Sequence, residues 1–174
     1  MEKGNSLKRI VLTGPESTGK SQLCLKLAQH FDCPMIPELA RDYLLLHGAN
    51  YTESDVLKIA EMQIEAEEQV SSSKHDFLFI DTDLIITKVW LQHCYKRVPD
   101  WINQCIDNTP RHLHLLCYYD LPWIQDPLRE NPSIRKELFE AYLNEIRFFG
   151  FRYSIIKGNG DTRFNNALKA ISLL

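Results

Sequence analysis

Residues 14–21 read Gly14-Pro15-Glu16-Ser17-Thr18-Gly19-Lys20-Ser21. They match Gly-x-x-x-x-Gly-Lys-Ser/Thr, the phosphate-binding loop (P-loop) that joins a β-strand to an α-helix. In such a loop, backbone N–H groups and the positive end of the helix dipole converge on a polyphosphate. Lys20 is expected to reach the β- and γ-phosphates of ATP, and Ser21 to bind Mg²⁺. All eight residues are therefore predicted to bind the nucleotide.

The flanking residues fit a strand, loop and helix in that order. Residues 9–13 form a short apolar run, typical of a buried strand. Residues 21–30 place Leu23, Leu27 and Ala28 at helical spacing. This context, which the motif requires, favours a P-loop over a glycine-rich turn that binds nothing.

The overall composition predicts one soluble domain, residues 1–174. The chain is 44% hydrophobic and 25% charged, as is usual for a globular protein. A net charge of -3 disfavours nucleic acid as a partner. The longest apolar runs, such as residues 44–46, are far too short to span a membrane, and the N-terminus lacks a signal-type apolar region. A cytoplasmic location is expected, whereas the oligomeric state is not predicted.

The cysteines and histidines do not predict a disulfide framework or a metal site. The five cysteines are odd in number and widely spaced, so we expect buried free thiols. His112 and His114 would share one face of a strand, but no cysteine or carboxylate lies near them at ligand spacing. A metal site at these two histidines is therefore disfavoured.

The rest of the chain alternates short apolar runs with helical patterns. Further strands are predicted at residues 33–36, 77–80, 112–118 and 152–156. Helices are predicted at residues 38–47, 52–70, 84–95, 100–107 and 131–149, and from 161 or 162 onward. Asn131 is expected to cap the long helix, with Pro132 in its first turn. Alternation of this kind predicts a three-layer α/β sandwich with a five-stranded parallel sheet. With a P-loop after the first strand, we expect the strand order 2-3-1-4-5.

Carboxylates follow the second and third predicted strands. Glu38 comes after strand two, where it would face the same crevice as the P-loop. Asp81, after strand three, occupies the Walker-B position and would bind Mg²⁺ opposite Ser21. Asp83 would either face the crevice or cap the following helix. The same two roles, site carboxylate or helix N-terminal acid, remain open for Glu38.

These residues favour a small-molecule kinase over other P-loop classes. A GTPase would carry an Asn-Lys-x-Asp guanine-binding motif, which is absent from the sequence. An ATP-driven motor would carry an adjacent Asp-Glu pair after strand three, whereas Asp81 is followed by Thr82. A kinase needs a carboxylate to orient or deprotonate the acceptor, and Glu38, or failing it Asp83, supplies one. It also needs mobile cations over the transferring phosphoryl group. Arg129 and Arg135 lie in a polar, proline-containing segment at about 121–135, which we expect to act as a lid.

Four motifs together resemble the ribosylnicotinamide kinase domain of NadR-type proteins, which phosphorylates the 5′-hydroxyl of nicotinamide riboside. They are GPESTGKS, PELARDYL, FIDTD followed by a helix with a tryptophan, and YYDLPWIQDPLRENPSIR. The resemblance covers nearly the whole chain, and its most specific parts are the P-loop and PWxxDxLR. No His-x-x-His nucleotidyltransferase signature is present. The adenylylation step and the repressor role of such proteins are therefore not expected.

The resemblance also implies roles for individual residues. It implies that Glu38 and Arg41 lie on the acceptor side, Asp81 and Asp83 near the metal and ribose, and Arg129 and Arg135 in the lid. It further implies aromatic packing around the nicotinamide ring, since a flat cationic ring gains from an aromatic face. Candidates for this packing, each of which could instead belong to the core, are Trp90, Trp123, Tyr43 and Tyr118.

Two further nucleotide-site positions and the competing functions remain open. Glu16 is unusual in a phosphate cradle, because its charge repels the ligand unless it hydrogen-bonds an acceptor hydroxyl. Gly158 lies in the turn 157–160, where related kinases close over adenine, although its place in a tight turn explains it equally well. The alternatives are a kinase of another nucleoside, nucleotide or metabolite, and a non-catalytic ATP-binding regulatory protein.

Overall fold

A computed structural model of the chain describes residues 7–70, 75–110 and 113–174. Its five strands are β1 (Lys8–Thr13), β2 (Met35–Ile36), β3 (Phe77–Asp81), β4 (Leu113–Cys117) and β5 (Arg152–Ile156). They form one sheet in the order β2-β3-β1-β4-β5, and every neighbouring pair is parallel. The predicted parallel sheet and its strand order are confirmed.

Helices cover both faces of this sheet. They are α1 (Lys20–Phe31), α2 (Leu39–His47), α3 (Glu53–Val70), α4 (Leu84–Tyr95), α5 (Asp100–Asn108), α6 (Arg135–Phe148) and α7 (Gly160–Ile171). In β1, Ile10 and Leu12 pack with α1 and α7, whereas Val11 packs on the side of α3. A further apolar cluster joins α3, α4, α5 and α6. The result is the predicted three-layer sandwich, with β1 buried on both faces as expected for a central parallel strand.

Two predicted helix starts are wrong. Helix α6 begins at Arg135, with Ile134 rather than Asn131 at its N-cap. The reason is that the Asn131 N–H donates instead to the carboxylate of Glu16, which holds the preceding segment in a non-helical path. Helix α7 begins at Gly160 with Asn159 at its N-cap, ahead of the predicted cap at Asp161 or Thr162.

The start of α3 follows its sequence signal. Thr52 N–H donates to Asp55 Oδ2 at 2.7 Å, and Asp55 N–H donates to Thr52 Oγ1 at 3.4 Å, a reciprocal capping box. The predicted end of this helix at residues 71–73 lies outside the described residues. His112 lies outside them as well.

All five cysteines are free, as predicted, but they are not all buried. Cys24 and Cys117 are buried beneath the P-loop, whereas Cys94 on α4 is exposed. The position of Cys94 contradicts the expectation of buried thiols, because α4 turns this part of its surface toward an open cavity. Among the described residues, no helix is both long and apolar enough to cross a membrane.

Candidate active site

A cavity of about 520 Å³ opens beside the P-loop at the carboxyl edge of the sheet. Its walls come from the P-loop, from α2, α3 and α4, and from the segment 121–135 between β4 and α6. The residues predicted from sequence that line it are Gly14, Glu16, Ser17, Thr18, Gly19, Lys20, Ser21, Glu38, Arg41, Asp83, Trp90 and Arg129. The predicted residues absent from its walls are Pro15, Asp81, Trp123, Arg135 and Gly158.

The P-loop backbone adopts conformations that its glycines make possible. Gly14 has φ 141°, and a Cβ there would lie 2.6 Å from the carbonyl oxygen of Cys117. Gly19 has φ 73° and directly precedes α1. Pro15 turns its carbonyl inward, where it accepts hydrogen bonds from Thr18 Oγ1 at 2.8 Å and Lys20 Nζ at 2.7 Å. The lysine ammonium is thus held at the cradle by the loop itself.

Asp81 lies beneath this cradle and fits a Mg²⁺ ligand. The residue is 1% exposed, and its Oδ1 has no hydrogen-bond partner in the part of the chain that the structure describes. Burial raises the pKa of Asp81 to about 6; the neighbouring Ser21 hydroxyl and Lys20 lower it, and Glu38 raises it further. A buried carboxylate oxygen without a partner, beside a serine hydroxyl, is the oxygen donor set that Mg²⁺ takes together with waters and phosphates.

Glu38 and Asp83 are the two candidates for the base, and their surroundings differ. Glu38 is at the N-cap of α2 without a side-chain capping bond, and its carboxylate has no hydrogen bond to any described residue. Asp83 accepts from Ile85 N at 3.1 Å as the N-cap of α4, and its Oδ2 is 2.8 Å from His114 Nε2. Asp83 reaches the cavity but is committed to capping, so the geometry favours Glu38 as the acceptor-side carboxylate.

Arg41 joins α2 to the segment 121–135. Its Nη2 donates to Asp126 Oδ2 at 2.7 Å. The hydrogen bond from Arg41, together with one from Leu128 N, lowers the pKa of Asp126 below its usual value. The side chain of Arg41 is 42% exposed, so solvent screens this pair. Arg41 therefore tethers two walls of the cavity to each other.

The aromatic wall contains Trp90, as predicted, and Tyr51, which sequence reasoning missed. Trp90 Nε1 donates to the Tyr51 hydroxyl at 3.0 Å, and that hydroxyl donates to Glu130 Oε2 at 2.8 Å. The two rings lie edge to face, with centroids 4.8 Å apart. Tyr51 lies in the connection between α2 and α3, where no local pattern marks it as a site residue.

The other aromatic candidates do not reach the cavity. Trp123 bonds to Gln125 near the surface, Tyr43 donates to Asp55, and Tyr118 packs against Phe139. Each of these rings contacts other residues of the protein outside the cavity, so the predicted contact of these rings with a bound nicotinamide ring is not supported.

One face of α4 supplies further wall residues. Thr87 lies between Asp83 and Trp90 at helical spacing, and His93 and Cys94 follow Trp90 at the same spacing. All three also line the cavity. Side chains three, four and seven positions apart share a helix face. This periodicity, extended from Asp83 and Trp90, is the sequence signal that could have identified them.

Glu16 and Ser17 tie the P-loop to the segment 121–135. The Glu16 carboxylate accepts from Asn131 N at 2.9 Å and from Glu130 N at 3.1 Å. Ser17 Oγ accepts from Ile124 N at 2.8 Å. The unusual acid of the P-loop therefore faces backbone donors of this segment rather than an acceptor hydroxyl.

The two arginines of this segment have different surroundings. Arg129 lines the cavity, and its Nη1 donates to the carbonyl oxygen of Ile124 at 2.6 Å. Arg135 donates to the carbonyl oxygens of Leu121, at 2.8 Å, and Ser17, at 3.4 Å. Arg135 is thus a structural clamp here rather than the free cation predicted, because the irregular backbone on which it packs needs hydrogen-bond donors.

Known proteins resemble this chain in fold and in sequence. A family model described as an AAA domain matches residues 9–163. The trifunctional NAD biosynthesis/regulator protein NadR of Escherichia coli (strain K12) is 28% identical over 147 residues, 80% of this chain and 35% of that protein. The chain thus spans about a third of the length of the curated relatives it matches.

Solved structures extend the comparison. NadR in complex with NR aligns with a TM-score of 0.80 at 23% identity, over 97% of this chain and 50% of that chain. Thymidylate kinase from Ehrlichia chaffeensis aligns with a TM-score of 0.69 at 13% identity, over 97% and 98% of the two chains. The fold is therefore that of P-loop kinases. The predicted similarity to NadR-type proteins is confirmed, and the chain belongs to the AAA domain family.

Proposed function

We propose that this chain is an ATP-dependent kinase that phosphorylates the 5′-hydroxyl of a nucleoside, with nicotinamide riboside as the preferred acceptor and nicotinamide mononucleotide as the product. One observation carries the proposal. The P-loop and the carboxylate of Glu38, which has no hydrogen-bond partner among the described residues, line the same cavity. A phosphate cradle and an available acid facing one cavity are the two groups that phosphoryl transfer to an alcohol requires.

The step follows from this arrangement. The acceptor hydroxyl, oriented by Glu38, attacks the γ-phosphorus of ATP and gives its proton to that carboxylate. The bond between the γ-phosphorus and the bridging oxygen breaks, and ADP leaves. Lys20 and the loop N–H groups compensate the charge on the phosphate oxygens, and Arg129 adds a guanidinium at the cavity wall.

Ser21 and Asp81 would hold Mg²⁺ beneath the phosphates. The bound ion would neutralise charge on the β- and γ-phosphate oxygens. Asp81 contributes a buried oxygen that has no partner among the described residues, and Ser21 a hydroxyl at the start of α1. The segment 121–135, which is already tied to the P-loop through Glu16 and Ser17, would serve as a lid that excludes water.

The acceptor wall suits a flat ring more than a phosphate group. Trp90 and Tyr51 offer aromatic surface, which favours a flat cationic ring such as nicotinamide. Arg41, the cation that a nucleoside monophosphate could use, is already paired with Asp126. Sequence similarity to NadR and the fold shared with NadR in complex with NR give further support.

A turnover assay tests the proposal. Purified protein is incubated with Mg·ATP and, separately, nicotinamide riboside, adenosine, deoxynucleosides and thymidine monophosphate, and ADP release is measured with product mass. We expect the highest kcat/KM with nicotinamide riboside and a product one phosphate heavier. ADP release only with thymidine monophosphate would contradict the choice of acceptor.

Two variants connect the assay to the site. Glu38→Gln should lose most turnover with every acceptor, whereas Asp42→Asn, an exposed acid on the same helix, should behave as wild type. Tight ATP binding without turnover for any acceptor would support a regulatory ATP-binding protein instead.

A further inference from the structure

A buried glutamine of α3 forms part of the wall of the cavity. Gln63 is 4% exposed, and it shares the cavity with Asp83, Thr87 and Trp90, which come from the N-cap and one face of α4. A glutamine side chain carries an NH₂ group that donates hydrogen bonds and an oxygen that accepts them. Its neighbours therefore decide which of the two groups can bind a ligand.

The NH₂ group of Gln63 is bonded to a neighbouring ion pair. Gln63 Nε2 donates to Glu67 Oε1 at 2.8 Å, one turn further along α3. The other carboxylate oxygen, Glu67 Oε2, accepts from Arg9 Nη1 at 2.8 Å. The side chains of Arg9 and Glu67 are each 12% exposed, so solvent screens this pair only weakly. Three side chains thus form one row of hydrogen bonds that leads from β1 to the cavity.

This row fixes the direction of the Gln63 amide. A carboxylate only accepts hydrogen bonds, so Glu67 takes the NH₂ group of Gln63 and would repel its oxygen. Burial raises the pKa of Glu67, whereas the hydrogen bond from Gln63 and the charge of Arg9 favour the carboxylate form. The row leaves Gln63 Oε1 available, since no residue in the described part of the chain donates a hydrogen bond to that oxygen.

The packing of α3 against α4 places Gln63 beside the aromatic wall. The two helices run antiparallel: Arg97, which follows α4, donates to Glu53 at the start of α3 at 2.7 Å. At the other end, Asp83 before α4 is near Glu67, where its charge contributes to the raised pKa. Gln63 therefore lies between the N-cap of α4 and the aromatic wall. A ring packed on that wall can direct a substituent toward Gln63.

We propose that Gln63 is a specificity-determining residue whose carbonyl oxygen accepts a hydrogen bond from a carboxamide on the ring of the acceptor, and that Glu67 is the positioning residue that keeps this oxygen directed into the cavity. The inference rests on the proposed function and narrows the acceptor to a pyridine riboside with a carboxamide rather than a carboxylate. A ring carboxylate at this place would set one acceptor oxygen against another in a buried site.

A ratio of two kcat/KM values tests the inference. Nicotinamide riboside and nicotinic acid riboside, which differ only in this ring group, are compared at saturating Mg·ATP. For wild type we expect a preference for the carboxamide on the order of 100-fold, because the carboxylate leaves Gln63 Oε1 without a donor. Gln63→Leu keeps the bulk but no polar group, so kcat/KM for nicotinamide riboside should fall roughly tenfold and the preference should shrink with it.

Glu67→Gln provides a second test, because Glu67 does not line the cavity that holds the acceptor. A neutral amide at position 67 can donate as well as accept, so Gln63 can turn and offer an N–H to a carboxylate. We expect kcat/KM for nicotinic acid riboside to rise about tenfold, a gain that a loss of stability would not produce. Glu65→Gln removes an exposed acid from the same helix and should match wild type with both ribosides.

Each outcome decides the inference. Equal use of the two ribosides by wild type, or an unchanged preference in Gln63→Leu, overturns it while leaving the kinase proposal intact. The result for Gln63→Leu decides even if Glu67→Gln does not fold. A folded Glu67→Gln protein that keeps the wild-type preference overturns the positioning role of Glu67. ADP release with neither riboside overturns the proposed acceptor and this inference with it.

Discussion

The phosphate end and the acceptor end of the cavity are built in different ways. At the phosphate end, eight consecutive residues form the site, mostly with their backbone, and a helix begins where they end. At the acceptor end, side chains come from α2, α4, the loop before α3 and the segment 121–135. A contiguous site depends on its local backbone geometry, whereas a dispersed site depends on contacts between distant parts of the chain.

Glu16 and Ser17 belong to both ends. They lie in the P-loop, yet their side chains bond to residues 124, 130 and 131 of the opposite wall. The P-loop is thereby coupled to the segment 121–135. Substitutions that act on one end only can show whether the two ends depend on each other.

The largest effect is expected at the phosphate end. Lys20→Ala removes the ammonium that compensates charge on the transferring phosphoryl group, so kcat should fall on the order of 1,000-fold. Steady-state kinetics with saturating acceptor measures it. Lys26→Ala, on an exposed face of the same helix, should leave kcat unchanged. A Lys20→Ala enzyme within a few-fold of wild type would mean that the P-loop does not carry the reaction.

The next effect separates the two acids of the acceptor end. Glu38→Gln should lower kcat about 100-fold while leaving the ATP dissociation constant unchanged, since it removes a base and no phosphate contact. Asp83→Asn should chiefly lower the free energy of unfolding, because Asp83 caps α4 and contacts His114. The reverse pattern, with activity lost in Asp83→Asn and retained in Glu38→Gln, would reassign the base.

The burial of Asp81 should make the free energy of unfolding of the protein depend on pH. Its pKa is raised to about 6 from a usual 3.8, so the folded state loses stability as pH rises through 6. Asp81→Asn, which cannot ionise, should therefore be more stable than wild type at pH 8, by up to about 3 kcal/mol. The difference in free energy of unfolding between Asp81→Asn and wild type, measured by urea unfolding, should be smaller at pH 5 than at pH 8. A difference independent of pH would contradict the raised pKa.

The smallest effect tests the coupling between the ends. Glu16→Gln replaces charged acceptors of the Glu130 and Asn131 N–H groups by a neutral one, so these two amides should exchange with solvent roughly tenfold faster. Hydrogen exchange followed by NMR reports them individually. Glu137→Gln, at an exposed position in α6, is the control. Unchanged exchange at both amides would show that Glu16 does not hold the segment.

The same contrast explains what the sequence could predict. The strands, the helices and the P-loop follow from local patterns, because apolar runs, helical spacing and an eight-residue motif can be recognised along the chain. The sheet order was expected from the position of the P-loop after the first strand, and the structure has that order. That Glu38 would face the P-loop crevice could be predicted because strand ends in a parallel sheet converge at one edge, and it does line the cavity. Tyr51 was missed because its partners at the cavity, Trp90 and Glu130, are far from it in sequence. Trp123 was placed at the cavity by resemblance alone, whereas its indole N–H bonds to the neighbouring Gln125.

Misassigned charges have the same origin. Arg135 looked like a mobile cation, but the carbonyl groups of Leu121 and Ser17 occupy its guanidinium. Arg163, buried in α7, belongs to no sequence motif, yet its guanidinium donates to three backbone carbonyl groups and to the carboxylate of Asp120. An arginine in the sequence does not indicate whether its N–H groups will bind a ligand or donate to the protein backbone.

In the proposed reaction, one cavity presents a nucleoside 5′-hydroxyl to Glu38 and the γ-phosphate to Lys20. A crystal structure with Mg²⁺, a non-hydrolysable ATP analogue and nicotinamide riboside tests it most directly. We expect the 5′-oxygen about 3 Å from a Glu38 carboxylate oxygen, facing the γ-phosphate. A riboside bound with its 5′-oxygen against Asp83, or outside the cavity altogether, would contradict it.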